Sequence, residues 1–321
     1  MANYHSDEWI MERVHEHWLE ALTLFPKDRI VGIFLQGSQN YGLDYEGSDI
    51  DTKLIVVPTW EDICFNRKPV STTHIRANDE HIDLKDIRLM FQTFRKQNLN
   101  FMEILFTKYK IVNPMYEEFW AELVMQNEKI AMYDPIGAIK TMKGIAMEKY
   151  HAMEHRYPAK AALIDAWGYD SKQLHHLLRV REYLERYICG EKYADCLISE
   201  QSEYLKKVKR MSPDVEPYYP LYKARELAKE TLDAIVERVD SFIECAGDNL
   251  FEKDELVDAI LDRIQEKIMR AAIMAELLAV CPDCGEPLIW RANWHYPMYE
   301  CAQCLGTYEK TETGLQRFFF G

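Results

Sequence analysis

Two apolar runs flank a glycine-bearing bend near the start of this chain, and together they dictate what its core can be. Arg29-Ile-Val-Gly-Ile-Phe-Leu-Gln36 is continuous, rich in β-branched residues and stopped by Gly37, which predicts a buried strand. A second strand is predicted from Asp49 to Val57, closed by Pro58. The segment between them, Gly37 to Ser48, holds three glycines and is too long for a tight hairpin, so a short helix and a loop are expected there.

The second strand opens on Asp49-Ile50-Asp51. Side chains at i and i+2 of a strand project from one face, so two carboxylates stand side by side while Ile50 points into the core. Such a pair is costly unless it shares a proton or binds a divalent cation, and hard oxygen ligands suit Mg²⁺ or Mn²⁺. A strand end whose aspartates cap a turn or face water gives the same three letters. The neighbouring Gly37-Ser38 changes the balance: glycine permits close backbone approach, serine offers a hydroxyl, and exposed amides at a helix start bind phosphate. A third carboxylate, in Ile82-Asp83-Leu84, is expected to complete a triad, whereas Asp86 lies an odd number of positions away and faces the other side.

At these residues the chain resembles the DNA polymerase beta-like nucleotidyltransferase superfamily. The signature of that family is an apolar residue, Gly-Ser, a spacer, Asp-x-Asp, and a later Asp between apolar residues. Here these are Leu35-Gln36-Gly37-Ser38, Asp49-Ile50-Asp51 and Ile82-Asp83-Leu84; Gln36, where an apolar residue is common, is a minor departure. The string from Gly37 to Asp51 is similar to a bacterial and phage branch of predicted nucleotidyltransferases with members linked to RNA repair. So are Asn98-Leu-Asn-Phe-Met-Glu-Ile-Leu105 and Lys172-Gln-Leu-His-His-Leu-Leu-Arg179.

The resemblance implies in-line attack of a hydroxyl or other nucleophile on the α-phosphate of a nucleoside triphosphate, with pyrophosphate leaving and two divalent ions assisting. It implies that Asp49 and Asp51 hold both metals, that Asp83 holds the catalytic one and helps deprotonate the nucleophile, and that Gly37 and Ser38, with Ser48 beside them, grip phosphates.

Elsewhere, Ser6 to about Leu22 reads as an amphipathic helix; Ser71–Arg76 and Glu80–Ile87 as a hairpin around Asn78-Asp79; and Arg88–Gln97 as a helix, followed by the apolar run Phe101–Phe106. From Tyr116 to about Ala279 the pattern is almost entirely helical, with breaks at Asp134-Pro135, Tyr157-Pro158 and Gly168. The expected architecture is α+β: a core of mixed sheet and flanking helices over 1–115, an α-helical domain over 116–279, and a small appendage over 280–321. Lys172, His176, Arg179 and Tyr183 form one helical stripe opposite Leu174, Leu177, Leu178, Leu184 and Ile188. Periodicity alone leaves that stripe as a solvated face. The resemblance assigns nucleotide-phosphate contacts to Lys172, His176 and Arg179, with His175 structural. Asn98, Asn100 and Glu103 either line the cleft or cap the following helix. The acidic stretch from about Asp233 to Asp262 reads as a solvated face or a partner surface.

Cys281-Pro-Asp-Cys284 and Cys301-Ala-Gln-Cys304, sixteen residues apart, have the spacing of a four-thiolate zinc ribbon. Gly285 and Gly306 follow where such turns need left-handed backbone. Closed four-sulfur coordination of Zn²⁺ leaves no open position, so this metal is structural. The insert carries Trp290, Arg291, Trp294, His295, Tyr296 and Tyr299, whose rings either dock the ribbon on its host or stack bases. Phe318-Phe-Phe320 is apolar enough to pack on this chain or a partner.

A balance of 39 basic against 53 acidic residues, net −14, argues against strong nonspecific nucleic-acid binding while leaving room for a local basic groove. No run approaches the roughly 18 apolar residues of a membrane span, and no signal pattern opens the chain, so a cytoplasmic protein without membrane partners is expected. The expected activity is metal-dependent nucleotidyl transfer to an RNA end such as a damaged tRNA, to a protein, or to a small molecule. Cyclic-nucleotide synthesis is also open, and a noncatalytic RNA- or protein-binding module on the same fold is the alternative.

Overall fold

The computed structural model of the chain describes residues 3–209, 212, 214–247, 253–277, 279–292, 297–311 and 314–318. The first apolar run forms β1 (Ile30–Gln36), and the second forms β2 (Asp51–Val56). With β3 (Ser71–Ile75), β4 (His81–Asp86) and β5 (Lys110–Val112) they make a sheet of order β3-β4-β2-β1-β5. β1 is antiparallel to β2 and β5, and β3 to β4, but β2 and β4 pair in parallel, so the sheet is mixed.

One face is closed by the helix Asp7–Leu24, started by Ser6, whose hydroxyl accepts from the Trp9 amide. Its buried stripe, Ile10, Val14, Trp18 and Ala21, packs with Ile33, Leu35, Leu54, Ile82 and Leu84. On the other face Val31, Phe34, Ile55 and Val57 meet Met90, Phe91 and Phe94 of the helix Ile87–Arg95. That core continues through Trp120, Ile139, Leu177, Ile235 and Ile264 of the helical region. The point near residue 115 is therefore no gap in packing: the Phe34 ring lies on Trp120 with centroids 4.1 Å apart. The helical region is led by the helices Pro135–Ala152, Ser171–Ile188, Leu221–Ala246 and Glu255–Leu277. No described helix is long and apolar enough to cross a membrane.

Several elements depart from expectation. β2 begins at Asp51 rather than Asp49, because the backbone just before it bonds to side chains instead of a strand partner: Gln39 donates to the Asp49 carbonyl (2.8 Å) and the Ile50 amide donates to Glu80 (3.3 Å). The Phe101–Phe106 run is a short helix, Leu99–Met102, capped by Asn98 and followed by a 3-10 turn, Glu103–Leu105. β5 was not anticipated; it reaches β1 because Gly32 has no Cβ, whose position would lie 2.9 Å from the Ile111 carbonyl. Within the acidic stretch Asp258 and Asp262 pair with Arg95 and Asp240 with Lys143, while Asp240 and Asp262 stay largely exposed.

Candidate active site

A cavity of about 330 Å³ opens where the end of β1 faces the helix Ser171–Ile188. β1 delivers Gln36, and the chain then turns at Gly37 (φ +101°), a left-handed conformation that favours glycine, into the 3-10 helix Ser38–Tyr41. Gly37, Ser38, Ser48, Asp49 and Asp51 line one side, and Lys172, His176 and Arg179 the other. Asn100 and Glu103 line it too, while Asn98 serves as a helix cap.

The Asp49–Asp51 turn is held from beneath by Glu80. Its carboxylate accepts from the Ile50 amide, from Arg13 (2.6 Å), Arg76 (2.8 Å) and Asn78 (2.9 Å), and pairs with His17 Nε2 (2.9 Å). Burial alone would raise the Glu80 carboxyl; hydrogen bonds from His17 and Asn78 and the Arg13 charge outweigh it and hold it at about 2. A depressed carboxyl contributes stability that is present above its ordinary value of 4.5 and lost as pH falls toward 2. Glu80→Gln is therefore expected to destabilise the protein at neutral pH, with the gap to wild type closing between pH 4.5 and 2. Urea unfolding across that range checks it, and a gap independent of pH contradicts it. On the exposed side, Asp51 Oδ1 accepts from the His81 amide (3.0 Å). Burial raises the Asp51 carboxyl and the Asp49 charge adds to this, against the pull of His81.

Asp83 is not among the residues that line this cavity, although it bonds Gln36, which is. β4 registers on β2 so that Lys53 faces Asp83, and the carboxylate takes hydrogen bonds from Gln36 Nε2 (3.0 Å) and Thr73 Oγ1 (2.6 Å) with Lys53 Nζ at 3.8 Å. Among the described residues, Asp49, Asp51 and Asp83 do not form a group whose ligand atoms all lie within 4.8 Å of one another. The residue whose backbone meets Asp51 is His81 instead. Gln36, an apparent departure in the motif, is thus the side chain that bonds both Asp83 and Lys53.

The far wall is cationic. Arg179 is buried, its guanidinium 3.5 Å above the Tyr41 ring centroid, and among the described residues it has no carboxylate within 4.0 Å and no partner for Nε. Tyr41 donates to Glu103, and the Gly37 amide donates to the same carboxyl (3.3 Å), so that amide is taken up internally in this state. Burial pushes the Glu103 carboxyl up to about 8, and the Arg179 charge opposes that rise. Burial, helped by His175 and the Lys172 and Arg179 charges, keeps His176 well below its ordinary value, a neutral imidazole. His175 is structural, its Nδ1 3.0 Å from the Leu205 carbonyl. Tyr183, expected on the same stripe, is buried in the core among Tyr187 and Tyr193 instead, where the helix passes beneath its neighbours.

Sequence reading missed Lys149, Lys160 and Lys209 on this wall. Lys209 donates to the Leu43 carbonyl (3.3 Å) and lies over Tyr45; burial and Lys172 bring it down to about 8. A charged residue inside an apolar run was the available signal for Lys53; none marked Lys209.

At the C-terminal end, β6 (Leu288–Ala292), β7 (Pro297–Cys301), β8 (Thr307–Thr311) and β9 (Gly314–Phe318) form an antiparallel sheet beside two turns carrying the four cysteines. The sulfurs of Cys281, Cys284, Cys301 and Cys304 all lie within 4.8 Å of one another, with two pairs at 3.4 Å. Four thiols so gathered fit tetrahedral Zn²⁺, whose bonds to sulfur are about 2.3 Å. Gly285 has the expected left-handed backbone (φ +77°), but in the second turn Leu305 (φ +57°) takes that conformation. Gly306 is needed for a different reason: a Cβ there would collide with the buried Tyr308 ring. The Tyr308 hydroxyl lies 3.0 Å from Cys281 Sγ and 2.8 Å from Asp283, a hydrogen bond of the kind that orients metal ligands. Tyr299 is buried and donates to the Glu276 carbonyl (3.3 Å), so this ring docks the ribbon on its host. Trp294, His295, Tyr296, Phe319 and Phe320, and the side chains of Trp290 and Arg291, lie outside the described residues.

No family model matches the chain, and no curated protein matches it. Among solved structures it is similar to a nucleotidyltransferase-like protein from Exiguobacterium sibiricum 255-15, at 13% identity and a TM-score of 0.31, over 91% of this chain and 99% of that one.

Proposed function

We propose that the chain is a metal-dependent nucleotidyltransferase that moves a nucleoside monophosphate from a triphosphate to an acceptor and releases pyrophosphate. The observation that carries this reading is Arg179, a buried guanidinium on the cavity wall without a carboxylate partner among the described residues, facing two carboxylates across a glycine-serine turn. A buried cation left unpaired is costly, and a bound phosphate relieves that cost. Lys172 and Lys209 add to the same pull. Asp49 and Asp51 offer hard oxygens suited to Mg²⁺ or Mn²⁺ and would hold it. When bound, such an ion neutralises charge on the reacting phosphate and favours the deprotonated nucleophile.

The chain's own groups do the rest. Arg179 and Lys172 orient the phosphates, Ser38 and Ser48 supply hydroxyl donors, and Glu80 fixes the turn that presents both carboxylates. The acceptor hydroxyl bonds to the α-phosphorus, its proton leaves to a carboxylate or solvent, and the bond to pyrophosphate breaks. Asp83 is not among the residues lining the cavity, so Asp49 and Asp51 are taken as the ligands. The acceptor is an RNA end, a protein or a small molecule.

Incubation with each α-labelled triphosphate and Mg²⁺ or Mn²⁺, with and without bulk RNA, tests this by label transfer and pyrophosphate release. Transfer from at least one triphosphate is expected, and none from any would contradict it. One observation favours the alternative, a noncatalytic RNA- or protein-binding module: Asp83 already has Lys53 beside it (3.8 Å). That reading expects triphosphate binding without turnover.

A further inference from the structure

A second cavity, of about 390 Å³, adjoins the cleft, with Asn100 lining both. Its wall is made by Lys53, Lys85 and Lys96 with Thr93, Asn98, Phe101 and Thr141, and among the described residues no carboxylate lines it. This is unusual in a chain of net charge −14. Lys53 and Lys85 sit on paired strands, with Lys85 opposite Ile55, so two ammonium groups share one sheet face. Among the described residues neither Lys85 nor Lys96 lies within 4.0 Å of a carboxylate; Lys85 only donates to Ser71 (2.8 Å). Lys53 has Asp83 at 3.8 Å, which offsets one charge of the three. Like charges gathered without counter-charges are held against their own repulsion, which an anion relieves. The groove also begins next to the carboxylate pair: Lys53 is two residues along β2 from Asp51, about 6.6 Å at strand spacing.

We propose that this lysine groove binds a phosphodiester strand whose end carries the acceptor hydroxyl, so that the acceptor is a nucleic-acid end. The proposal rests on the nucleotidyltransferase reading. A strand laid over Lys96 and Lys85 toward Lys53 presents its terminus to the Asp49–Asp51 turn, and Asn100 stands where strand and nucleotide meet. An otherwise acidic surface repels the remainder of a long polyanion, which suits recognition of an end rather than of a duplex.

The test measures binding of a short fluorescent oligouridylate and, separately, of a fluorescent triphosphate analogue, by anisotropy in wild type, Lys85→Gln/Lys96→Gln, and the exposed single change Lys96→Gln. Three phosphate contacts give a log–log salt slope of about −2 for a single strand, so wild-type affinity is expected to fall about 20-fold from roughly 50 to 200 mM salt. The double variant is expected to bind the strand at least tenfold more weakly with a shallower slope, and the triphosphate as wild type does. Lys96→Gln, which should fold in any case, is expected to lose part of both affinity and slope. Undiminished strand binding in both variants, or none in wild type, would overturn the proposal. So would a polyglutamate peptide that competes as well as the strand, which would point to an acidic protein acceptor. Strand binding that depends on the lysines without any triphosphate binding would leave the groove standing and sink the enzyme reading.

Discussion

Replacing Asp49 and Asp51 together by Asn is expected to cut label transfer by about 10³-fold or more while leaving the fold and the triphosphate site in place. Charge stabilisation by a bound cation is worth several kcal/mol at a phosphoryl centre, and about 1.4 kcal/mol per tenfold converts this to roughly three decades. The substitutions are nearly isosteric, and the contacts that shape the turn run through the backbone: the Ile50 amide to Glu80 and the Asp49 carbonyl to Gln39. Asn at 51 can still accept from the His81 amide. Two signs separate a cation site from a mere loss of structure. The dependence of triphosphate affinity on Mn²⁺ should vanish, and metal-free affinity should hold or rise several-fold, because two negative charges near the phosphates are gone. Isothermal titration with and without Mn²⁺ reads both. Transfer that survives the double change contradicts the assignment.

Stripping zinc, or replacing Cys301 by Ser, is expected to unfold the C-terminal ribbon and leave the rest of the chain folded. Among the described residues the ribbon's core consists of Cys281, Leu288, Tyr299, Cys301 and Tyr308, so two of these five are themselves ligands. So small a core cannot offset the chain entropy of some forty residues. Structural zinc in small fingers contributes about 10–16 kcal/mol. None of the described ribbon residues lines the cleft, so triphosphate binding should survive. Elemental analysis should find one zinc per chain, and amide exchange after chelation should lose protection in the 280–318 segment alone. Full protection in the metal-free protein would refute a structural zinc.

The features that could be read from the sequence are those set by local periodicity. β1 follows from its apolar run, the bend from Gly37, and the Ser171 helix from the spacing of Lys172, His176 and Arg179 against its leucines. The cysteine spacing gave the ribbon by the same kind of reasoning. The residues that escaped are those whose partners are set by strand register and packing. Whether a third acid meets Asp51 or Lys53 depends on a two-residue choice in how β4 pairs with β2, and nothing in Ile82-Asp83-Leu84 encodes it. Glu80 read only as the start of a strand; its role comes from donors on the first helix and the hairpin that only the fold gathers. Tyr183 had the right phase for the stripe, but phase cannot tell where a cavity stops and the core resumes.

A crystal of the protein with Mn²⁺ and a non-hydrolysable triphosphate, measured at a wavelength where manganese scatters anomalously, tests the central claim most directly. The account predicts a manganese peak touching the Asp49 and Asp51 carboxylates, phosphates against Arg179 and Lys172, and Asp83 still beside Lys53. Phosphates bound away from Arg179, or no manganese at the aspartate pair, would contradict it.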